Sequence, residues 1–150
     1  MKKYNFLFSF LLLFFTACNS TQSSSNKVQN ELKICPKCNM EIDKSKEYSS
    51  TLVKNKKTYY FDDIGCMILW TNENKIKKVK MDVYSKDTQK YIDAKSAHYT
   101  IGEKTPMSYG FCAYEHKQKS QINFKEVSVK MLRGENMTNP KIRKQILGSK

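Results

Sequence analysis

The hydrophobic and polar positions divide this chain into three parts. A short basic start, Lys2 and Lys3, precedes a nearly continuous apolar run over residues 6–15. Residues 19–30 are almost all polar and offer nothing to bury. From Leu32 onward, apolar positions recur with the periods of strands and helices. The pattern therefore predicts a leader, a flexible tether and a folded region over residues 32–150.

The first half of the folded region predicts a β-β-α-β unit over about residues 48–84. Residues 48–53 and 57–61 are β-favouring runs separated by the turn at residues 54–56, which indicates a hairpin. Asp62 or Asp63 is suited to cap a helix that begins near Ile64. Residues 78–84 then alternate apolar and polar side chains, as a strand does.

A second, weaker copy is predicted over about residues 90–133. Residues 91–93 and 98–101 are strand candidates, residues 102–106 form a loop and residues 109–114 are an apolar run. Residues 115–132 are predicted to be mostly helical, with Gly134 as the stop signal. A tail helix over residues 140–147 would be capped by Asn139, with Pro140 at its first position. The predicted fold class is α+β, with two small β-β-α-β units in tandem and a helical tail.

The leader indicates export and a lipid anchor. Its apolar run is too short for a spanning helix and matches a secretory signal over residues 1–17. The sequence Phe15-Thr16-Ala17-Cys18 resembles a bacterial lipoprotein cleavage box, with Cys18 as the lipidated residue. Residues 18–31 would then be the lipidated cysteine and its tether. An uncleaved N-terminal anchor with an incidental cysteine is the alternative. In both cases we expect a domain held on a membrane of the cell envelope, facing the periplasm.

The charge balance is strongly basic but says little about partners. Lys and Arg number 27 against 14 Asp and Glu, a net charge of +13. An anionic lipid surface or an acidic protein suits such a charge, but we favour the simpler interpretation that a Lys- and Asn-rich composition is spread over solvated faces. Nucleic acid is not an expected partner, because an exported chain without an arginine-rich or base-stacking motif lacks the usual features.

The chemistry of the chain is concentrated in Cys35-Pro36-Lys37-Cys38-Asn39-Met40. Thiolates and a thioether are soft donors, and soft donors select Cu(I) over hard cations. The same Cys-x-x-Cys is also typical of a thiol–disulfide oxidoreductase, of a disulfide, or of half a structural zinc site. The zinc reading would need Cys66, or Cys112 with His116, to complete the site.

Other soft donors follow later in the chain. Met107 is a candidate ligand from the second unit, although a methionine there also serves as core filler. Cys66 and Met67 are weaker candidates, because both suit the inward face of a helix. Cys112 and His116 lie four residues apart and would share a metal only on a continuous helix. No Ser-His-Asp set, no pair of carboxylates placed for acid–base catalysis and no phosphate-binding glycine loop is visible, so we expect a carrier rather than an enzyme.

Several of these motifs together resemble the NosL family, the copper-binding accessory lipoproteins of nitrous oxide reductase. The resemblance rests on Cys35-x-x-Cys38-x-Met40, on Tyr60-Phe61-Asp62 before the helix with Met67, and on Tyr91-Ile92-Asp93-Ala94 through Thr105-Pro106-Met107. It covers about residues 35–114 and implies two β-β-α-β units similar to the organomercury lyase core.

The resemblance also implies a function and a ligand set. The function is to bind Cu(I) in the periplasm and to pass it toward maturation of the reductase, with a membrane ABC-transporter complex as partner. Cys38 and Met40 match the family motif, and Met107 lies at the Pro-Met position. Cys35 would be a third ligand or the partner in a disulfide. Cys66 and the segment over residues 111–116 depart from the family pattern, and their extra donors would enlarge the site or serve another copper client.

Overall fold

The computed structural model describes residues 33–43 and 45–148. The predicted signal peptide, Cys18 and the tether lie outside these residues. The described chain has mixed α+β architecture with antiparallel sheets and three helices. In chain order the elements are β1 (Ser50–Lys54), β2 (Lys57–Phe61), α1 (Ile64–Glu73), β3 (Lys80–Tyr84), β4 (Tyr91–Asp93), β5 (His98–Ile101), β6 (Phe111–Tyr114), α2 (Phe124–Leu132) and α3 (Pro140–Gly148).

The larger sheet contains four strands in the order β2-β1-β3-β4. The β1–β2 hairpin turns through Asn55 and Lys56, both at positive φ, which is the backbone conformation that tight hairpin turns require. The smaller sheet is the β5–β6 hairpin. Leu52, Phe61 and Val83 of the larger sheet and Tyr99 of the smaller one are almost completely buried, and they belong to one hydrophobic core.

Helix α1 lies where the two hairpins and α2 meet. It contacts β1, β2, β6 and α2. Asp63 is its N-cap, as predicted for this pair of aspartates, and its Oδ1 accepts a hydrogen bond from Gly65 N at 2.8 Å. None of the three described helices has the length and apolar character needed to cross a bilayer.

The second half of the chain departs from its prediction in one helix and in one pairing. Helix α2 begins at Phe124 and not near residue 115, because tertiary hydrogen bonds take the backbone amides of the preceding segment. Glu115 N and His116 N donate to Asp87, and Ile122 exchanges backbone hydrogen bonds with Tyr99. An Asn123–Glu126 capping box then starts the helix. Strand β4 pairs with β3 of the larger sheet, so only β5, β6 and α2 follow as a separate strand–strand–helix group.

Helix α3 confirms the predicted tail. It begins at Pro140, and Asn139 Oδ1 accepts from Lys141 N at 3.1 Å. Gly134 follows the end of α2 with φ of 70°, the left-handed conformation expected after a helix.

Candidate metal centre

The Cys-x-x-Cys motif lies in a tight loop closed by backbone hydrogen bonds. Ile34 and Glu41 pair across the loop as an antiparallel bridge. Cys35 N donates to Met40 O at 2.8 Å, and Asn39 N donates to Cys35 O at 2.9 Å. Asn39 has a φ of 61°, a left-handed conformation that asparagine tolerates. Lys37 forms an ion pair with Glu73 at the end of α1, which fastens the loop to the helix.

Three cysteines and one aspartate converge beneath this loop. The Sγ atoms of Cys35, Cys38 and Cys66 and a carboxylate oxygen of Asp62 all lie within 4.8 Å of one another. Asp62 lies between β2 and the N-cap of α1, and Cys66 lies in the first turn of that helix. The hairpin, the helix start and the loop therefore each supply part of one site, which we call the Cys₃Asp cluster.

Most of the cluster is buried, and its cysteines form no disulfide with one another. Cys35 and Cys66 are fully buried, Asp62 is 3% exposed and Cys38 is half-buried. All four cysteines of the described chain are free thiols. Ligands at about 2.3 Å from a tetrahedral centre lie about 3.8 Å apart, so inward shifts of under about 1 Å would let these atoms hold one ion.

Burial and hydrogen bonds within the cluster give its three thiols different pKa values. The Cys66 thiol donates to Cys35, and this contact, opposed by burial, lowers the pKa of Cys35 to about 6. The same contact, together with burial, raises the pKa of Cys66. Burial raises the pKa of Cys38 to about 12, and Cys38 Sγ donates to Asp62 Oδ1 at 3.2 Å. Burial and these hydrogen bonds together therefore favour the thiolate form at Cys35 and the neutral thiol form at Cys38 and Cys66.

The loop over residues 102–110 covers the other side of the helix start. The Tyr109 ring packs so closely on Gly65 that a Cβ there would lie 2.3 Å from Tyr109 Cδ2. Burial raises the pKa of Asp63 to about 7, partly offset by the Thr105 hydroxyl and by the amides of Gly65 and Met107. Met107, from this loop, is half-buried and packs against the core.

The candidate metal ligands predicted from the sequence lie in different environments. Cys35, Cys38 and Cys66 belong to the cluster, and Met67 is a fully buried core residue on the same helix. The Met40 side chain is 44% exposed, on the wall of a cavity that Asp62 also lines.

Cys112 and His116 do not meet the condition set for a shared site. Cys112 lies on strand β6, not on a helix, and its thiol contacts Ala113 O at 3.9 Å. His116 is exposed, and its Nδ1 lies 2.8 Å from Asp87 Oδ2. Neither belongs to the Cys₃Asp cluster.

Sequence reasoning missed Asp62 as part of the site and gave Cys66 too little weight. From the sequence, Asp62 was a candidate helix cap and part of the Tyr60-Phe61-Asp62 motif, but not a metal ligand; Asp63 fills the capping role. The available signal was the junction of hairpin and helix, since Asp62 and Cys66 are four residues apart around a helix start. No protein-family model matches this chain, and no curated protein matches it.

Proposed function

We propose that this protein is a lipid-anchored Cu(I) carrier of the cell envelope that faces the periplasm. Its copper would go to the maturation of nitrous oxide reductase through the ABC-transporter assembly complex. The observation that carries the proposal is the Cys₃Asp cluster, in which three free thiols converge at one buried point. Thiolates of this kind favour Cu(I), which accepts two or three sulfur ligands.

Cys35, Cys38 and Cys66 are the proposed thiolate ligands. Met40 and Met107 are proposed as thioether donors that join or leave during exchange, because one is exposed beside the cluster and the other lies on the covering loop. In the metal-free cluster, Asp62 accepts a hydrogen bond from the Cys38 thiol. Such a site suits metal carriage rather than catalysis.

The proposal includes a tandem origin for the fold. The first unit is β1-β2-α1-β3, and β5-β6-α2 would be a diverged second unit. In both, a hairpin is followed by a helix, and the two helices pack against each other. This relation is the one that the resemblance to NosL implies.

A delivery experiment tests the proposed function. In cells that make nitrous oxide reductase, loss of this chain should leave the reductase copper-deficient. Wild-type protein and Cys112→Ser should restore its copper content, whereas Cys66→Ser should not. Reductase with full copper in the absence of the chain would contradict the proposed client.

Zinc is the second candidate, and Asp62 is the observation that favours it. Three thiolates and one carboxylate form a donor set that zinc accepts in tetrahedral geometry. Full-length protein purified without added metal should contain less than one equivalent of zinc after exposure to a strong chelator. Stoichiometric zinc that survives the chelator would replace the copper proposal with a structural zinc site.

A thiol–disulfide oxidoreductase is the third candidate, favoured by the lowered pKa of Cys35. However, Cys35 is fully buried, whereas a reactive redox thiol is ordinarily accessible. We therefore expect no turnover in an insulin-reduction assay. Clear catalytic turnover that disappears in Cys35→Ser would favour the oxidoreductase.

A further inference from the structure

An open cavity of about 580 Å³ lies beside the cluster. We call it the acidic cleft; the described residues that line it are Met40, Glu41, Ile42, Asp43, Glu47, Asp62 and Pro106. Four of these seven residues carry carboxylates, although the chain as a whole has a net charge of +13. Lys46 belongs to the same stretch of chain but does not line the cleft. The cleft is therefore a local acidic surface on a basic protein.

Two carboxylates of the cleft accept hydrogen bonds, Asp43 Oδ1 from Ser45 N at 2.7 Å and Asp62 Oδ1 from Cys38 Sγ at 3.2 Å, but none of the four is used in an ion pair with a described residue. Among the described residues, six carboxylates form ion pairs: Glu73, Asp82, Asp87, Glu103, Glu115 and Glu135. Asp63, Asp93 and Glu126 hold helix starts or a turn through hydrogen bonds. Within the same part of the chain, no ion pair involves the four carboxylates of the cleft. Ion pairing within the described fold therefore does not account for the grouping of these four carboxylates.

Asp62 connects the cleft to the cluster. Its side chain is buried, its Oδ1 accepts from Cys38 Sγ at 3.2 Å, and its Oδ2 has no hydrogen-bond partner among the described residues. A buried carboxylate oxygen without a partner is costly and indicates a missing donor or cation. The space available is also far larger than one ion needs, since a water molecule occupies about 30 Å³ in the liquid.

We propose that the acidic cleft is the route by which the metal reaches and leaves the cluster, and that it selects small, positively charged metal complexes. A cleft lined by one sign of charge concentrates ions of the opposite sign and speeds their arrival. On this protein the surrounding lysines would repel the same complexes elsewhere, so the cleft is the favoured approach. The inference rests on the proposed metal-binding function. It adds that the complex that delivers the metal to this protein is positively charged.

The cleft can be tested without any metal, through the accessibility of the cluster thiols. The protein is the full chain with Cys18→Ser, kept reduced in detergent. We compare the reaction rates of two methanethiosulfonate reagents of similar size, a cationic one with a trimethylammonium group and an anionic one with a sulfonate group. Peptide mapping then identifies which cluster thiol is modified first. In Glu41→Gln/Asp43→Asn/Glu47→Gln we expect the ratio of cationic to anionic rates to fall about fivefold or more.

The matched control removes the same number of charges elsewhere. Glu103→Gln/Glu115→Gln/Glu135→Gln replaces only residues of surface ion pairs, which stabilise the fold little. Its rate ratio should stay within about twofold of wild type, and the wild-type ratio should fall as salt is raised. An unchanged ratio in the cleft variant, an equal fall in the control, or a wild-type ratio insensitive to salt would overturn the proposal. The salt series needs no variant, so it remains decisive if the triple substitution does not fold.

Copper loading separates this inference from the proposed function. The cleft variant should load more slowly than wild type from tetrakis(acetonitrile)copper(I), a cation, and faster from anionic Cu(I)–bicinchoninate. Its Cu(I) affinity at equilibrium should match wild type. Absence of Cu(I) binding in the wild type would defeat the proposed function, while the thiol rates would still decide the role of the cleft. Normal binding with unchanged loading rates from both donors would defeat the cleft alone.

Discussion

At the scale of single residues, Cys66 is a proposed metal ligand, whereas Cys112 is a packing residue. Both thiols are almost completely buried, but only Cys66 belongs to the Cys₃Asp cluster. Burial in the smaller sheet raises the pKa of Cys112 to about 11, which favours its neutral thiol form. The pair therefore provides two substitutions of equal chemistry with different expected effects.

We predict that Cys66→Ser weakens Cu(I) binding by about a hundredfold, because one of three thiolate ligands is lost. Cys112→Ser should change the affinity by less than about threefold. Anaerobic titration of the full chain against a competing Cu(I) chelator measures both. Equal affinities for the two variants would remove Cys66 from the ligand set.

At the scale of elements, the position of α1 depends on Gly65. A side chain at this position would lie against the Tyr109 ring and would also approach Met131 of α2 to 2.8 Å. The absence of a side chain thus lets the covering loop and α2 approach the first turn of α1, which carries Cys66.

Gly65→Ala should destabilise the fold by about 1–3 kcal/mol, since the added methyl group overpacks a filled core. It should also weaken Cu(I) binding, because Cys66 moves with the helix start. Gly148→Ala, which has open space around it, is the control and should change stability by less than about 0.5 kcal/mol. Urea unfolding followed by circular dichroism measures both. A Gly65→Ala variant as stable as the control would contradict this packing.

The local signals of the sequence were sufficient for most elements but not for α2. The β1–β2 hairpin, the Asp63 cap of α1 and the Pro140 start of α3 follow from short-range turn and capping chemistry. The start of α2 could not be found in this way. Residues 115–122 have the composition of a helix, but Asp87 and Tyr99, distant in sequence, take their backbone hydrogen bonds.

For the site, too, the sequence revealed the residues that are close together in the chain but not those that join them through folding. Cys35 and Cys38 were visible because they are close in sequence, whereas Cys66 joins them only through the packing of α1 against the loop. The place of Asp62 in the cluster could not be predicted, because Asp62 and Asp63 are equally suited to cap α1. Only the folded chain shows that Asp63 is the cap.

At the scale of the whole molecule, Asp87 joins the two sheets. It follows β3 of the larger sheet and accepts hydrogen bonds from Ser85 Oγ and from Glu115 N and His116 N, which follow β6 of the smaller sheet. Burial opposes the charge, but these hydrogen bonds outweigh it and hold the pKa of Asp87 well below its usual range.

Asp87→Asn should therefore destabilise the protein by about 1–3 kcal/mol at neutral pH. A lowered pKa in the folded state means that this contribution is present above the unfolded pKa of about 4 and is lost as the pH falls further. The stability difference between wild type and variant should thus shrink as the pH falls from about 5 toward 2, as followed by urea unfolding. Glu135→Gln, a surface control, should show almost no difference at any pH. A constant deficit for Asp87→Asn across this range would contradict the role of its charge.

The central claim is that one Cu(I) ion binds to the sulfur atoms of the Cys₃Asp cluster. Copper-edge X-ray absorption of the Cu(I)-loaded full chain tests it most directly. We predict a first shell composed of sulfur, with one sulfur fewer in Cys66→Ser and an unchanged shell in Cys112→Ser. A shell dominated by nitrogen or oxygen, or one that Cys66→Ser leaves unchanged, would contradict the account.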